Sequence, residues 1–214
     1  MKNGYLVGLA CGVMMFGMAG LASADLITNG GFEFGNFEDT YGHNSMSLYP
    51  GSTAITGWTL ENAEIAWEVQ STGWGVPADG YYLDLTGYHD SAPFGGISQS
   101  IATTVGQQYK LSFDLGMMDE LWPGPVSVLA SAGSASQTFT VNNVSQWTTV
   151  SFDFTANGTS TLVSFLGTDG TCYIGLDNVS IETINAPIPE PATLLLFGAG
   201  LLGLFCFIRK KAGK

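Results

Sequence analysis

The chain has 214 residues, of which 18 are Asp or Glu and six are Lys or Arg, and its net charge is −12 at pH 7. Residues 25–187 carry 17 of the acidic residues against Lys110 alone, which is a net charge of −16. One lysine cannot neutralise a phosphate backbone or an anionic membrane, so nucleic-acid binding and lipid adhesion are excluded. Two ways of carrying this charge stay open: a solvated, self-repelling acidic surface, or carboxylates that bind cations.

The first 24 residues have the pattern of an export signal. Lys2 supplies a positive start, an apolar stretch follows, and Ala22-Ser23-Ala24 is a small-x-small cleavage site. Because the cleavage pattern directly follows the apolar stretch, a signal peptide over residues 1–24 is favoured over an N-terminal membrane helix. Asp25 is then the first residue of the exported protein.

Residues 25–187 predict a single all-β domain. Apolar and polar side chains alternate with period 2, as in Leu111 and Phe113 on either side of Ser112, which is typical of a half-buried antiparallel strand. No stretch keeps a helical period, turn residues separate the alternating segments, and residues 35–51 are predicted to be a surface loop. Many short strands at this spacing favour an antiparallel two-sheet β-sandwich of the jelly-roll type. The predicted strands, in chain order, span residues 27–28, 54–60, 63–69, 81–85, 97–104, 109–115, 126–131, 137–141, 149–154, 162–165 and 174–181.

Side chains for catalysis are scarce in this domain. Cys172 is its one cysteine, which excludes an internal disulfide and favours a small buried residue over a nucleophile. His43 and His89 are its histidines, no nucleophile-elbow pattern surrounds any serine, and no lysine follows a glycine-rich loop. No spacing pairs two carboxylates for glycoside hydrolysis. The domain is therefore predicted to be non-enzymatic.

The C-terminal residues form an ordered series of three features. Pro189-Glu190-Pro191 comes first, an uncharged apolar run of 17 residues over 192–208 follows, and Arg209, Lys210 and Lys211 come after it. The prolines end any preceding fold, and the run is about the shortest that can span a bilayer as a helix. The basic cluster holds the end of the chain on the cytoplasmic side. A transmembrane helix is predicted over 192–208, with the residues before it outside that membrane.

This series resembles the PEP-CTERM sorting signal of Gram-negative bacteria. The resemblance implies that residues 188–214 are read by a membrane enzyme, exosortase, which cuts near the Pro-Glu-Pro triplet. It also implies a precursor anchored in the inner membrane and a mature protein at the cell surface or in the exopolysaccharide matrix of a biofilm. An ordinary single-pass anchor that stays in place is the alternative.

Three stretches of the domain share a second pattern. They are residues 28–33 (Thr-Asn-Gly-Gly-Phe-Glu), residues 79–114, which begin Asp-Gly-Tyr-Tyr-Leu-Asp-Leu, and residues 175–181 (Gly-Leu-Asp-Asn-Val-Ser-Ile). Together they resemble the choice-of-anchor C type domain of bacterial surface proteins, which is similar to a plant cell-wall family of galactose-binding-like fold. The resemblance covers most of residues 25–183 and implies a β-sandwich, in agreement with the periodicity.

The same resemblance implies a metal site. Carbohydrate-binding modules that look like this fold often hold one structural calcium ion between a Glu just after the first strand and an Asp in the last strand. Those positions match Glu33 and Asp177, with Asn29 and Asp84 as weaker candidate ligands. Calcium prefers several oxygen ligands, and carboxylates from the two ends of the chain would fasten the sandwich. The alternative is that Glu33 and Asp177 only cap turns.

Aromatic residues indicate a ligand surface. Sugar rings present C–H faces that pack on aromatic rings, so exposed Trp and Tyr suit glycan binding. Trp58 and Trp147 lie in or beside predicted strands and are expected in the core, while the position of Trp67 is ambiguous. The other candidates lie in predicted loops and form the predicted ligand surface: Trp74, Tyr88, His89 and Trp122.

These observations predict an exported, non-enzymatic surface or matrix protein that is sorted by exosortase and binds extracellular polysaccharide. A calcium-bridged structural or adhesion protein without a sugar site is the alternative. A secreted glycoside hydrolase is the third hypothesis.

Overall fold

The computed structural model describes residues 25–40, 42–69, 80–89, 91–116, 124–142, 147–170 and 173–184. Both predicted targeting segments lie outside these ranges. No helix within the ranges is long and apolar enough to span a membrane. One 3-10 turn, Gly87–His89, is present. The strands are β1 (Ser45–Leu48), β2 (Thr59–Glu61), β3 (Ile65–Val69), β4 (Tyr81–Asp84), β5 (Gly96–Ala102), β6 (Gln108–Gly116), β7 (Val126–Ala132), β8 (Ala135–Val141), β9 (Thr148–Thr155), β10 (Ser160–Asp169) and β11 (Gly175–Thr183).

The strands form two antiparallel sheets. The six-stranded sheet has the order β1-β3-β4-β11-β6-β9, and the five-stranded sheet has the order β2-β5-β10-β7-β8. Every pairing between neighbouring strands is antiparallel. The predicted all-β, two-sheet sandwich is therefore confirmed.

The core lies between the two sheets and follows the alternation of the sequence. In β6, Leu111 and Phe113 are fully buried, while Lys110 is exposed on the outer face. Phe113 packs edge-on against Phe165 of β10, with ring centroids 4.9 Å apart, and this contact joins the two sheets. Burial of each such side chain stabilises the fold by roughly 1.5–3 kcal/mol.

The described tryptophans occupy two kinds of position. Trp58 is buried in the core as predicted, and Trp67, whose position the sequence left ambiguous, is buried there as well. The prediction that Trp147 belongs to the core is wrong. Its ring lies half-buried on the outer face of the six-stranded sheet, over Gly116 and Gly175, where any other side chain would collide with it.

Three predicted segments differ from the structure. Of the predicted strand 54–60, only residues 59–60 belong to a strand, β2, because residues 56–57 form a turn. Residues 27–28 are not a strand, because the backbone there binds a side chain: Thr28 N–H donates to Gln99 Oε1 at 2.8 Å, and Gln99 Nε2 donates to Thr28 O at 2.9 Å. The predicted surface loop 35–51 contains β1, which pairs with β3 and buries Leu48. An alternation of four residues is too short to separate a strand from a loop by pattern alone.

Candidate functional site

Three connections meet at one end of the sandwich and enclose a cleft of about 520 Å³. They are the turn after β1, the turn between β2 and β3, and the connection from β4 to β5. Small-ligand sites commonly have volumes of roughly 300–1,000 Å³, so the cleft has a suitable size. It is lined by Tyr49, Pro50, Asn62, Ala63, Glu64, His89, Ser91, Ala92 and Pro93.

Close packing and a hydrogen bond tie the walls of the cleft together. Gly95 presses against the start of β3, where any side chain would collide with Ile65. Asn62 has a left-handed backbone conformation (φ 67°), which asparagine tolerates better than most residues. Its side chain donates a hydrogen bond to Phe94 O at 2.5 Å. The β2–β3 turn and the β4–β5 connection are thus held in one arrangement.

A carboxylate and an imidazole form the polar side of the cleft. Glu64 Oε2 lies 2.9 Å from His89 Nε2. The side chain of Glu64 is 5% exposed, whereas that of His89 is 73% exposed. The buried carboxylate therefore orients an imidazole that a ligand can reach from solvent.

Two exposed tyrosines accompany this pair. Tyr49 lines the cleft and is 57% exposed, and Tyr88, which precedes His89 in the chain, is 43% exposed. The Tyr49 ring offers an apolar face and a hydroxyl group in the same cleft as Glu64 and His89. This end of the sandwich therefore combines aromatic surface with oriented polar groups.

The structure describes part of the predicted ligand surface. His89 lines the cleft and Tyr88 lies beside it in the chain, whereas Trp74 and Trp122 lie outside the described residues. For the last two, a role in ligand binding stays a prediction. The cleft itself is a surface that the sequence patterns did not indicate.

The sequence patterns indicated only His89 among the nine lining residues; of those that were missed, Tyr49, Asn62 and Glu64 bring aromatic or polar side chains from other parts of the chain. They lie in different segments from His89, and no local motif joins them to it. One signal was available, since Tyr49-Pro50-Gly51 places an aromatic residue in a turn tripeptide, which is the environment of an exposed ring.

The first and last segments of the domain meet beside the start of β4. Glu33 Oε1 accepts a hydrogen bond from Tyr81 N–H at 2.9 Å, and its carboxylate fills the space that a side chain at Gly80 would take. Asp177 is buried in β11. A methyl group on Gly31 would lie 3.8 Å from Glu33 Cγ and 3.9 Å from Asp177 Oδ1. The two main candidate calcium ligands therefore border the same glycine.

The weaker candidate ligands have other partners. Asn29 closes a turn, because its Oδ1 accepts Phe34 N–H at 3.0 Å and its Nδ2 donates to Phe34 O at 2.8 Å. Asp84 is buried at the end of β4, where Oδ1 accepts the N–H groups of Thr86 and Ile174, each at 2.9 Å. Among the residues that the structure describes, no three acidic, histidine or cysteine side chains cluster closely enough to hold a metal ion. The calcium site stays a prediction.

Two carboxyl groups share the outer face of the six-stranded sheet. Glu68 lies opposite Tyr82, and Asp84 lies opposite Ala66, so the two acids are diagonal neighbours on β3 and β4. Burial raises the pKa of Glu68 from 4.5 to about 7, against the hydrogen bond that Ser45 Oγ donates to it at 2.5 Å. Burial also raises the pKa of Asp84 to about 7, against the hydrogen bonds that it accepts. Asp84 accepts hydrogen bonds from the backbone N–H groups of Thr86 and Ile174, so its carboxyl group joins the segment after β4 to the segment before β11.

Family models match both parts of the chain. Residues 25–182, more than half of the chain, match the model described as "Protein of unknown function (DUF642)". Residues 187–210 match the PEP-CTERM protein-sorting motif, which implies export and a membrane-anchored sorting signal. The resemblance to PEP-CTERM proteins drawn from residues 189–211 is confirmed.

A relative among curated proteins is halomucin of Haloquadratum walsbyi. It is 28% identical to this chain over 192 residues, which is 87% of this chain and 2% of halomucin. The chain thus spans a small fraction of that relative's length.

Several solved structures are similar in general shape. The structure titled "CBM4 structure and function" is 20% identical with a TM-score of 0.42, over 73% of this chain and 99% of that one. The CBM22-1 xylan-binding domain of Paenibacillus barcinonensis Xyn10C is 18% identical with a TM-score of 0.45, over 78% and 99%. A family 35 carbohydrate binding module of Clostridium thermocellum is 12% identical with a TM-score of 0.43, over 66% and 99%.

Proposed function

We propose that this chain, which belongs to the DUF642 family and carries a PEP-CTERM protein-sorting motif, is an exported, non-enzymatic surface or exopolysaccharide-matrix protein. We propose further that it binds glycan. Exosortase is the partner that sorts it, and an extracellular polysaccharide is its ligand. The cleft carries this proposal, because the exposed ring of Tyr49 lines it together with the hydrogen-bonded pair of Glu64 and His89.

The chemistry of the cleft suits a neutral sugar. Tyr49 offers its ring to the C–H face of a sugar, while His89 and Ser91 offer hydrogen bonds to hydroxyl groups. The bond between Glu64 and His89 orders the imidazole before a ligand arrives, which reduces the entropy lost on binding. Glu64, which lines the cleft, repels uronic acids and other anionic sugars.

The cleft lies at the end of the sandwich remote from the membrane tether. Gly175, the first residue of β11, pairs with Asp84 just before the β4–β5 connection, which forms one wall of the cleft. The chain leaves the domain after Thr183, at the opposite end of β11. The nine residues of β11 separate these ends by roughly 26 Å, at about 3.3 Å per residue. The cleft therefore stays accessible while the precursor is anchored.

Glycan binding by the full-length protein tests the proposal. A glycan array identifies ligands, and titration then compares the wild type with Tyr49→Ala and His89→Ala. Loss of an aromatic or hydrogen-bonding contact costs about 1.4 kcal/mol, which is about tenfold weaker binding.

Phe34→Ala is the matched control, since Phe34 is a 69% exposed aromatic residue that does not line the cleft. It should bind as the wild type does. Equal binding by Phe34→Ala, Tyr49→Ala and His89→Ala would place the sugar elsewhere, and a wild type that binds no glycan on a broad array would refute the proposal.

A second candidate function is that of a calcium-bridged structural protein without a sugar site. The meeting of Glu33 and Asp177 around Gly31 favours it, as does the surplus of carboxylates in residues 25–187. Carboxylate oxygens are ligands that calcium prefers. An ion held between these two acids would fasten the first segment of the domain to β11.

Calcium titration separates the two functions. Calorimetry should show one tightly bound ion, and thermal melting should show stabilisation of about 2.7 kcal/mol at a calcium concentration 100-fold above Kd. Glu33→Ala and Asp177→Ala should abolish both effects, while Glu182→Ala, at an exposed acid of β11, should not. Weak binding of several ions, equal in all three variants, would refute a calcium site between Glu33 and Asp177.

A further inference from the structure

The longest uncharged stretch of the domain lies between Glu120 and Asp153. Residues 121–152 contain no Asp, Glu, Lys, Arg or His, although residues 25–187 carry 17 acids. In the described chain this region forms β7, β8 and most of β9. β8 is the last strand of the five-stranded sheet, so one of its sides has no neighbouring strand within the described ranges.

The other three edge strands have protection of the kinds that natural sheets use. Beside β1, Thr40 N–H donates to Ser45 O at 2.9 Å. Beside β2, Gly51 N–H donates to Leu60 O at 2.8 Å. β9 carries Asp153, an exposed charge that opposes pairing with another acidic chain. Covering segments and edge charges both prevent the addition of a further strand.

β8 shows none of these devices in the part of the chain that the structure describes. It has no charge, proline or register shift, and residues 136–138 are exposed. Ala132 pairs with Ala135 across a two-residue turn, which makes them a hydrogen-bonded pair of the hairpin. By alternation along β8, the residues whose backbone N–H and C=O groups point away from β7 are Ser136, Thr138 and Thr140.

We infer that β8 is an interface at which a second copy of this chain adds its own β8 in antiparallel orientation. A two-fold axis beside Thr138 pairs it with Thr138 of the partner subunit and pairs Ser136 with Thr140 of the partner subunit. About six backbone hydrogen bonds form, and the two five-stranded sheets become continuous. Such a pairing uses the same strand on both copies, so it closes as a dimer.

The charge distribution selects a second copy as the occupant. Two domains of net charge −16 repel each other, and because β8 carries no charge, pairing through β8 brings no two carboxylates face to face across the paired strands. Threonines that face each other across paired strands interact favourably. A basic partner would instead be attracted to the acidic surfaces. An apolar partner would find little surface here, because Phe139 packs against Phe113 and Phe152.

The oligomeric state of the full-length chain in detergent tests this inference. Light scattering after gel filtration, over a series of protein concentrations, should show a dimer for the wild type and a monomer for Thr138→Lys. That substitution places two lysines opposite each other at the axis, with their Cα atoms about 5.5 Å apart, so that their like charges oppose pairing. Ser151→Lys adds the same charge at an exposed position in the middle of β9 and should stay dimeric.

Circular dichroism checks that both lysine variants fold. A monomeric wild type would overturn the inference, and so would a dimer that persists in folded Thr138→Lys. The second result would assign dimerisation to another surface, such as the C-terminal tail.

Disulfide trapping gives a second measurement that does not need the lysine variant to fold. In a chain with Cys11→Ser, Cys172→Ser and Cys206→Ser, Thr138→Cys places two thiols across the axis with Cα atoms about 5.5 Å apart, within the range for a disulfide. Oxidation in membranes should give a covalent dimer on a non-reducing gel, and Ser151→Cys should not. Absence of the Thr138→Cys dimer, or equal cross-linking of both variants, would overturn the inference.

Discussion

Glu68→Gln is the substitution that we expect to change how stability depends on pH. Glu68 is partly buried on the outer face of β3, and burial raises its pKa from 4.5 to about 7. The hydrogen bond from Ser45 lowers the pKa and the charge of Asp39 raises it, each by less than burial does. Glutamine has nearly the same size, can accept the same hydrogen bond from Ser45, and carries no charge at any pH.

The direction of the effect follows from proton binding. Between pH 4.5 and about 7 the folded protein keeps a proton on Glu68 that the unfolded chain has released. The stabilising contribution is therefore complete below pH 4.5, declines as the pH rises, and is lost once the pH passes about 7. Each pKa unit corresponds to about 1.4 kcal/mol, so the free energy of unfolding falls by about 3 kcal/mol across this range.

Urea unfolding at pH 4.5 and at about pH 8 measures this contribution. Glu68→Gln should match the wild type at the lower pH and exceed it by about 3 kcal/mol at the higher pH. Glu182→Gln removes an exposed charge from β11 and should change stability by less than about 0.5 kcal/mol at either pH. An equal shift of Glu68→Gln at both pH values, or a loss of stability at the higher one, would refute the argument that burial controls this pKa.

Two further substitutions test the contacts around the cleft. Asp84→Ala leaves the buried N–H groups of Thr86 and Ile174 without their acceptor, and chemical denaturation should show a loss of about 2–4 kcal/mol. Asp84→Asn keeps an acceptor oxygen and should lose less; equal losses would mean that the amides do not need it. Gly95→Ala forces a methyl group against Ile65. This overpacking should reduce the free energy of unfolding by about 1–3 kcal/mol, lower Tm by several degrees and weaken glycan binding. An unchanged Tm would show that this wall of the cleft can shift freely.

Local patterns were sufficient to predict the fold class and the sorting signal. The alternation in β6 is a property of a single strand. Leu111 and Phe113 are buried and Lys110 is exposed, so the alternation in sequence identifies the side of the strand that faces the core. The signal at residues 187–210 is likewise contiguous in sequence. The short β1 was missed because four residues contain too little alternation to stand out from a loop.

Other features were decided by which segments pack together. Trp147 lies outside the core because Gly116 and Gly175, on two other strands, leave room for its ring on the outer face of the sheet. The cleft exists because three separate connections converge and bring Tyr49 close to His89.

The β-sandwich class, the acidic character and the sorting motif of this protein can be read from its residues in order, since each of these depends on residue types or on near neighbours in the chain. The cleft, the raised pKa of Glu68 and the position of β8 at a sheet edge among the described residues follow instead from tertiary packing. Desolvation, hydrogen bonding and strand pairing depend on distances between residues far apart in sequence, and those distances are set by the packing of the whole domain.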